Sequence, residues 1–258
     1  MGSVTSRMLA NWMRARMPRW GSEDGILCGD SRQEIKGVLV TWMADVAAIQ
    51  RAAKKKCNLI VAHEDPWFSP DYAFDVNGDR SGVVNARRKE LLDQSGICLM
   101  RAHGALDGFC ILEDGIVATV SGEIILQEDW WRVVRIEPAR LGAIAAKLKA
   151  RWRGEELRLL GNPNRKVKVV GFPWGGMSLS VNAQFLKRFF EIPTDLLIAG
   201  EMDEYAVRAC QDVGVAVIEL GHARSECPGL RHFARILSRE FHGLKVHFFD
   251  SAVALRSI

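Results

Sequence analysis

A strand, a helix and a second strand follow one another within residues 37–62, and this order constrains the fold more than any other feature. Residues 37–42 and 58–62 are apolar and rich in β-branched side chains, which predicts strands. Residues 45–53 between them predict a helix. At this spacing the three segments form a βαβ unit, which requires parallel strands and a right-handed crossover. The chain is therefore predicted to be an α/β protein.

The same alternation continues along the chain and predicts two related lobes with mainly parallel sheets. We assign the first lobe to residues 1–125 and the second to residues 126–258, with the C-terminal segment free to pack back on the first. Residues 69–82 are expected to form a loop over the sheet edge, and residues 107–122 a turn-rich stretch with β-type runs. Further strands are predicted at 97–102, 131–136, 157–160, 167–170, 196–199, 215–220 and 245–249, and further helices at 4–17, 83–92, 138–151, 182–190, 204–213 and 231–241.

Composition favours a globular cytoplasmic protein. The chain has 258 residues and is 48% apolar, but no run approaches the roughly 20 apolar residues that a membrane span needs. Its start lacks the apolar core of a signal peptide. The six scattered cysteines show no metal-binding spacing and are expected to be reduced, mostly buried thiols.

The net charge of +4 comes with basic clusters that indicate solvated surfaces. Basic and aromatic residues interleave only at residues 151–153, so nucleic-acid binding is not expected.

Histidine and carboxylate residues follow three of the predicted strands. His63 and Glu64 follow residues 58–62, and His103 with Asp107 follows residues 97–102. Ligands of open α/β sheets bind at the carboxyl ends of strands, so these side chains are expected at a site.

The third fragment is His222 with Glu226, which follows residues 215–220. Any one fragment alone is more typical of a capping or core histidine beside an incidental carboxylate. Three such fragments together contain half of the six histidines and predict a divalent metal centre, with enough ligands for two ions.

Two glycine-containing segments are further candidates. Glu201 follows Gly200 at the end of the strand at residues 196–199, and it is a candidate for proton transfer together with His103. The turn at residues 171–176 precedes a helix, so its amides are candidates to bind an anion such as phosphate. It matches neither the P-loop nor the dinucleotide-binding pattern.

Across nearly its whole length the chain resembles the NGG-interacting-factor-three-like family of dinuclear-metal, GTP cyclohydrolase type 2-like proteins. The resemblance is carried by five motifs: Gly29-Asp30, His63-Glu64-Asp65-Pro66, His103 to Asp107, Gly200-Glu201, and Gly221 to Glu226.

The resemblance implies two α/β lobes with a metal site at the strand ends between them, and a homohexamer. It also implies that His63, Asp107, His222 and Glu226 bind metal, with His103 nearby. Glu64 stands where the family usually has a second histidine. As a ligand, Glu64 favours manganese, magnesium or ferrous iron over zinc, or it leaves a weakened or single-metal site.

Two functions remain open from the sequence. The first is a metal-dependent hydrolase of a small nucleotide-like or phosphorylated molecule, in which Glu201, His103 or Glu64 moves a proton. The second is a non-enzymatic metal-binding ring that serves as a scaffold or protein-interaction module. Either would use apolar contact area between subunits, for which four tryptophans are candidates unless they are core residues: Trp130, Trp131, Trp152 and Trp174.

Overall fold

A computed structural model describes residues 3–68, 82–128, 130–152 and 157–251. The chain forms two compact units, as predicted, and both are α/β. Of the residues that the structure describes, unit 1 contains those between 3 and 111 and between 229 and 251, and unit 2 contains those between 112 and 228. All of the loop predicted at residues 69–82 except Gly82 lies outside the described residues.

Unit 1 is built on a five-stranded sheet in the order β1-β4-β3-β2-β11. Its strands are β1 (Gly25–Cys28), β2 (Val38–Thr41), β3 (Leu59–Ala62), β4 (Cys98–Arg101) and β11 (Val246–Phe249). All neighbouring pairs are parallel except β1 with β4. Every residue of β2, β3 and β4 is buried, as expected for apolar strands that are covered on both faces.

Three helices complete the first part of unit 1: α1 (Ser6–Arg16), α2 (Val46–Lys54) and α3 (Val83–Ser95). Asp45 starts α2, because its side chain accepts a hydrogen bond from the amide of Ala48. Gly96 ends α3 in the left-handed conformation, with φ of 59°. Ile49 and Leu92 join the buried apolar cluster that includes Ile60 and Leu99 of the sheet.

Unit 2 contains a six-stranded mixed sheet in the order β5-β6-β8-β9-β10-β7. Its strands are β5 (Glu123–Gln127), β6 (Arg132–Arg140), β7 (Arg158–Leu160), β8 (Lys166–Phe172), β9 (Leu196–Ala199) and β10 (Ala216–Glu219). Only the pairs β8-β9 and β9-β10 are parallel. These central strands carry the residues that lead into the candidate site.

The helices of unit 2 include α6 (Leu141–Arg151), α7 (Ala183–Phe190) and α8 (Glu204–Asp212). The helix predicted from residue 138 begins later, because β6 pairs with β8 as far as Arg140. The long helix α9 (His222–Glu240) begins in unit 2 and continues in unit 1. It starts nine residues before the predicted residue 231, and it contains Pro228.

The stretch predicted to be turn-rich, residues 107–122, is largely helical. α4 (Gly104–Leu106) runs into a π-helical segment (Asp107–Ile111) and then into α5 (Leu112–Thr119). The prediction was wrong because Gly115 serves packing and not a turn. A Cβ atom on Gly115 would lie 2.4 Å from the ring of Trp174, so only glycine allows this contact within unit 2.

The boundary between the units falls after Ile111, whereas the sequence placed it after residue 125. α5 and β5 belong to unit 2, since β5 pairs with β6. Residues 229–251 belong to unit 1, since β11 pairs with β2. The first assignment rests on the hairpin of β5 with β6, and the second on strand pairing over a long sequence separation.

Two of the four tryptophans considered for subunit contacts are core residues of unit 2. Trp131 and Trp174 are each only 4% exposed, so the expectation that they supply contact area was wrong for them. Trp130 is 37% exposed and Trp152 is half-buried. The six cysteines are free thiols, and all except Cys28 are buried, as predicted. No helix in the described parts of the chain has the length and apolar character needed to cross a membrane.

Candidate metal centre

His63 and Glu64 lie directly after β3 in unit 1. Both backbone amides donate to the carbonyl of Trp42, at 3.0 and 2.7 Å, which fixes the turn. The His63 ring is fully buried, and its Nδ1 lies 3.2 Å from the carbonyl of Ala102. Because a carbonyl can only accept, Nδ1 must carry the proton. Nε2 is then the nitrogen with the lone pair, which is the form of imidazole that binds metals.

Asp107 and His103 come from the segment after β4. Asp107 is the first residue of the π-helical segment, and its Oδ1 lies 3.6 Å from Nε2 of His63. The His103 ring stacks on that of His63, with centroids 4.6 Å apart and planes at 21°. Nε2 of His103 lies 3.6 Å from Oε1 of Glu64. Irregular π segments are frequent at functional sites.

These separations fit shared coordination of a cation better than direct hydrogen bonds. Nitrogen and oxygen ligands at about 2.0–2.2 Å from one ion lie about 2.8–3.8 Å apart. The His63–Asp107 and His103–Glu64 distances of 3.6 Å fall in that range. One donor atom from each of His63, Glu64 and His103 also falls within 4.8 Å of the others. Unit 1 therefore offers a donor set that fits a divalent metal.

Two acidic residues that sequence analysis did not select complete the surroundings of His103. Oε1 of Glu23 lies 3.1 Å from Nδ1 of His103, and Oδ1 of Asp24 accepts the backbone amide of His103 at 2.6 Å. The acidic pair between Gly21 and Gly25, just before β1, is the signal that could have identified them.

The carboxylates determine the electrostatics of this corner of unit 1. Burial opposes protonation of His103, but the hydrogen bond to Glu23 and the negative charges of Glu64 and Asp107 outweigh it and raise the pKa of His103 well above its ordinary value. The hydrogen bond from His103 lowers the pKa of Glu23, whereas burial raises that of Asp24. The corner thus favours a cation on or near His103.

The predicted ligands of unit 2, His222 and Glu226, lie after β10, and Glu201 lies after β9. His222 is the first residue of α9, and Glu226 lies one turn further on the same face. Nε2 of His222 is 3.4 Å from Oε1 of Glu226, while Nδ1 of His222 is 3.2 Å from Oε2 of Glu201.

Because a carboxylate accepts, Glu201 holds the Nδ1 proton of His222 and leaves Nε2 for a ligand. The same hydrogen bond lowers the pKa of Glu201. Glu201, a candidate for proton transfer, is thus placed where it orients His222.

The glycine turn after β8 packs against the histidine and glutamate of unit 2. A Cβ atom on Gly175 would lie 2.0 Å from Oε1 of Glu226 and 3.1 Å from Nε2 of His222. The amide of Gly175 donates to Oγ of Ser225 at 3.2 Å, and its carbonyl accepts from Glu201 at 2.8 Å. The Gly175 amide is therefore used inside the protein and not offered to a phosphate.

The structure thus brings the predicted site residues together in two sets. His63, Glu64, His103 and Asp107 form the set of unit 1. Glu201, His222 and Glu226 form the set of unit 2. Both sets contain a buried carboxylate beside a histidine whose Nδ1 is held by an acceptor.

Comparison with known proteins gives a consistent result. Residues 4–253 match the family described as Duf34/NIF3 (NGG1p interacting factor 3). A protein of Neisseria meningitidis serogroup B named GTP cyclohydrolase 1 type 2 homolog is 24% identical over 223 residues, which is 86% of each chain.

Solved structures show the same fold. The Staphylococcus aureus protein SA1388 superposes with a TM-score of 0.79 at 17% identity over 100% of both chains. A Bacillus cereus protein related to NIF3 gives a TM-score of 0.71 at 11% identity, covering 100% of this chain and 99% of the other.

We predict that Gly175→Ala disrupts the His222–Glu226 pair, because the new methyl group would overlap the carboxylate. Metal content measured by inductively coupled plasma mass spectrometry should fall below that of the wild type.

Gly214→Ala is the matched control, since Gly214 also has a positive φ, of 71°, but has open space around it. That change should cost about 1–2 kcal/mol of stability from backbone strain alone and leave metal content unchanged. Equal metal content in the two variants would contradict the proposed role of Gly175.

Proposed function

Because the chain belongs to the Duf34/NIF3 family, we propose that it carries a dinuclear divalent metal centre. The ligands are His63, Glu64 and Asp107 from unit 1, and His222 and Glu226 from unit 2. The observation that carries the proposal is the repeated spacing of 3.4–3.6 Å between a histidine Nε2 and a carboxylate oxygen. In each of these three pairs an acceptor faces Nδ1, namely Ala102, Glu23 or Glu201, and leaves Nε2 directed at the carboxylate.

The donor set favours oxygen-preferring ions. Three of the five proposed ligands are carboxylates, and Glu64 replaces an imidazole with an oxygen donor. We therefore propose manganese or ferrous iron, with magnesium next, ahead of zinc.

We further propose that the protein is a hydrolase of a small nucleotide-like or phosphorylated molecule. Bound divalent ions would supply an acidified water and polarise the substrate. His103 would hold or release a proton at Nε2, since its Nδ1 faces Glu23. Glu201 would keep His222 oriented through its Nδ1. The name of the Neisseria relative, a GTP cyclohydrolase 1 type 2 homolog, supports a nucleotide-like substrate.

A non-enzymatic metal-binding scaffold is the second candidate, and the burial of the ligands favours it. His63, Glu64 and Glu226 are each at most 4% exposed. Ligands closed off in this way are typical of metal ions that only stabilise a fold. The two candidates differ in whether a coordination position is open to substrate.

Metal content tests the proposed centre. Two variants remove proposed ligands: the double change His222→Ala with Glu226→Ala, and the single change Asp107→Ala. Each should weaken metal binding more than the loss of a residue that only contacts a ligand, which typically costs about 10–100-fold. Plasma mass spectrometry of protein purified without chelator and titration of stripped protein would measure this. His247→Ala removes a histidine of β11 and is the control. Full metal occupancy in the double variant would show that the ligand assignment is wrong.

Turnover separates the enzyme from the scaffold. Stripped protein with manganese, ferrous iron or zinc would be assayed on GTP, dinucleotides and simple phosphate esters. We expect metal-dependent turnover that disappears in Asp107→Ala. Tight stoichiometric metal binding without turnover on any substrate would favour the scaffold.

We also propose that the protein assembles as a homo-oligomer, specifically the hexamer that the family resemblance implies. Exposed apolar side chains of unit 2, Val181 at 75% and Tyr205 at 80%, are available for such contacts. Light scattering at micromolar concentration should give six times the chain mass of 28.8 kDa. A monomer would remove the ring from the proposal.

A further inference from the structure

The geometry points to Glu23 as a positioning residue that holds His103 with Nε2 directed at the metal ligands. Glu23 lies just before β1, far in sequence from the residues that follow β3 and β4, and it belongs to none of the five motifs. The inference rests on the proposed metal centre. It adds to that centre a carboxylate, Glu23, that does not itself bind the ion.

Each oxygen of the Glu23 carboxylate faces a different donor. Oε1 lies 3.1 Å from Nδ1 of His103, and Oε2 lies 3.5 Å from Nη2 of Arg101. Arg101 is the last residue of β4, its side chain is only 10% exposed, and its Nη1 lies 3.8 Å from Asp65. The guanidinium therefore restrains the carboxylate oxygen of Glu23 that does not face the imidazole.

The backbone at His103 is fixed by the neighbouring residue of the same segment. Asp24 accepts the His103 amide at 2.6 Å through Oδ1 and the Gly21 amide at 2.8 Å through Oδ2. Ring and backbone of His103 are thus held by two consecutive carboxylates. With the ring also stacked on His63, little rotational freedom remains for the imidazole.

This arrangement determines which nitrogen of His103 is available. With Nδ1 donating to Glu23, Nε2 faces Oε1 of Glu64 at 3.6 Å. A carboxylate on the distal nitrogen fixes the tautomer and increases the basicity of the other nitrogen. His63, by contrast, is held by a neutral carbonyl. The two stacked histidines should therefore differ in basicity, with Nε2 of His103 more basic than Nε2 of His63.

Nuclear magnetic resonance of the His103 ring tests the hydrogen bond directly. In the metal-free wild type we expect a slowly exchanging Nδ1 proton, assigned by its loss in His103→Ala. It should disappear by fast exchange in Glu23→Ala and persist, with a changed shift, in Glu23→Gln, which keeps an acceptor oxygen. An unchanged Nδ1 proton in Glu23→Ala would overturn the inference whether or not metal binds.

Metal affinity tests the consequence. Zinc binding to stripped protein, measured by chelator competition, should weaken about 10–100-fold in Glu23→Ala and less in Glu23→Gln, because His103 then no longer faces the ligand Glu64. Glu90→Ala removes the same charge from an exposed site on α3 of unit 1 and should change zinc affinity less than two-fold, about the uncertainty of the assay.

The double variant separates positioning from general structural damage. In a His103→Ala background, Glu23→Ala should cause little further loss of zinc affinity, because its effect passes through the imidazole. Additive losses would overturn the inference. If the wild type binds none of manganese, ferrous iron, magnesium and zinc, the proposed metal centre fails, while the resonance of the Nδ1 proton still decides the role of Glu23.

Discussion

The parallel pairing of β2, β3 and β4 in register determines where the ligands of unit 1 lie. Thr41 pairs with Ala62, and Ala62 pairs with Arg101, so these strands end at the same level. His63 and the Ala102–His103 segment therefore leave the sheet side by side. The hydrogen bond from His63 to the carbonyl of Ala102 is a direct result, because it joins the first residues beyond two paired strands. A shift of register by one residue would remove it.

Much of this arrangement could be predicted from sequence because it depends on local patterns. Runs of apolar β-branched residues mark the buried central strands, and the order of strand and helix requires parallel pairing. From these facts alone His63, His103 and His222 could be placed at strand ends. The acidic pair of Glu23 and Asp24 is visible in the sequence, but Glu23 could not be placed beside His103, because their contact joins residues 80 positions apart and no periodic pattern encodes it.

One wrong prediction came from a glycine. Gly115 resembles a turn signal, since a sequence cannot distinguish a glycine needed for a positive φ from one needed for close approach. In the structure Gly115 makes room for Trp174. A Cβ atom on Gly200 would lie 2.1 Å from the carbonyl oxygen of Gly175, so glycine at position 200 allows the two backbones to approach each other. These glycines bring segments together, and the resulting contacts position Glu226 and His222.

The contact between Gly229 and Ile111 has a topological consequence. A Cβ atom on Gly229 would lie 2.4 Å from Cα of Ile111, and Cys110 donates from Sγ to the Gly229 carbonyl at 3.4 Å. Ile111 is the last residue of unit 1 before residues 112–228, and Gly229 is the first residue of unit 1 after them. Unit 2 is thus an inserted domain whose two attachment points touch, so that its removal leaves a gap that a short linker closes. Removing unit 2 would therefore take His222 and Glu226 away and leave His63, Glu64, His103 and Asp107 in unit 1.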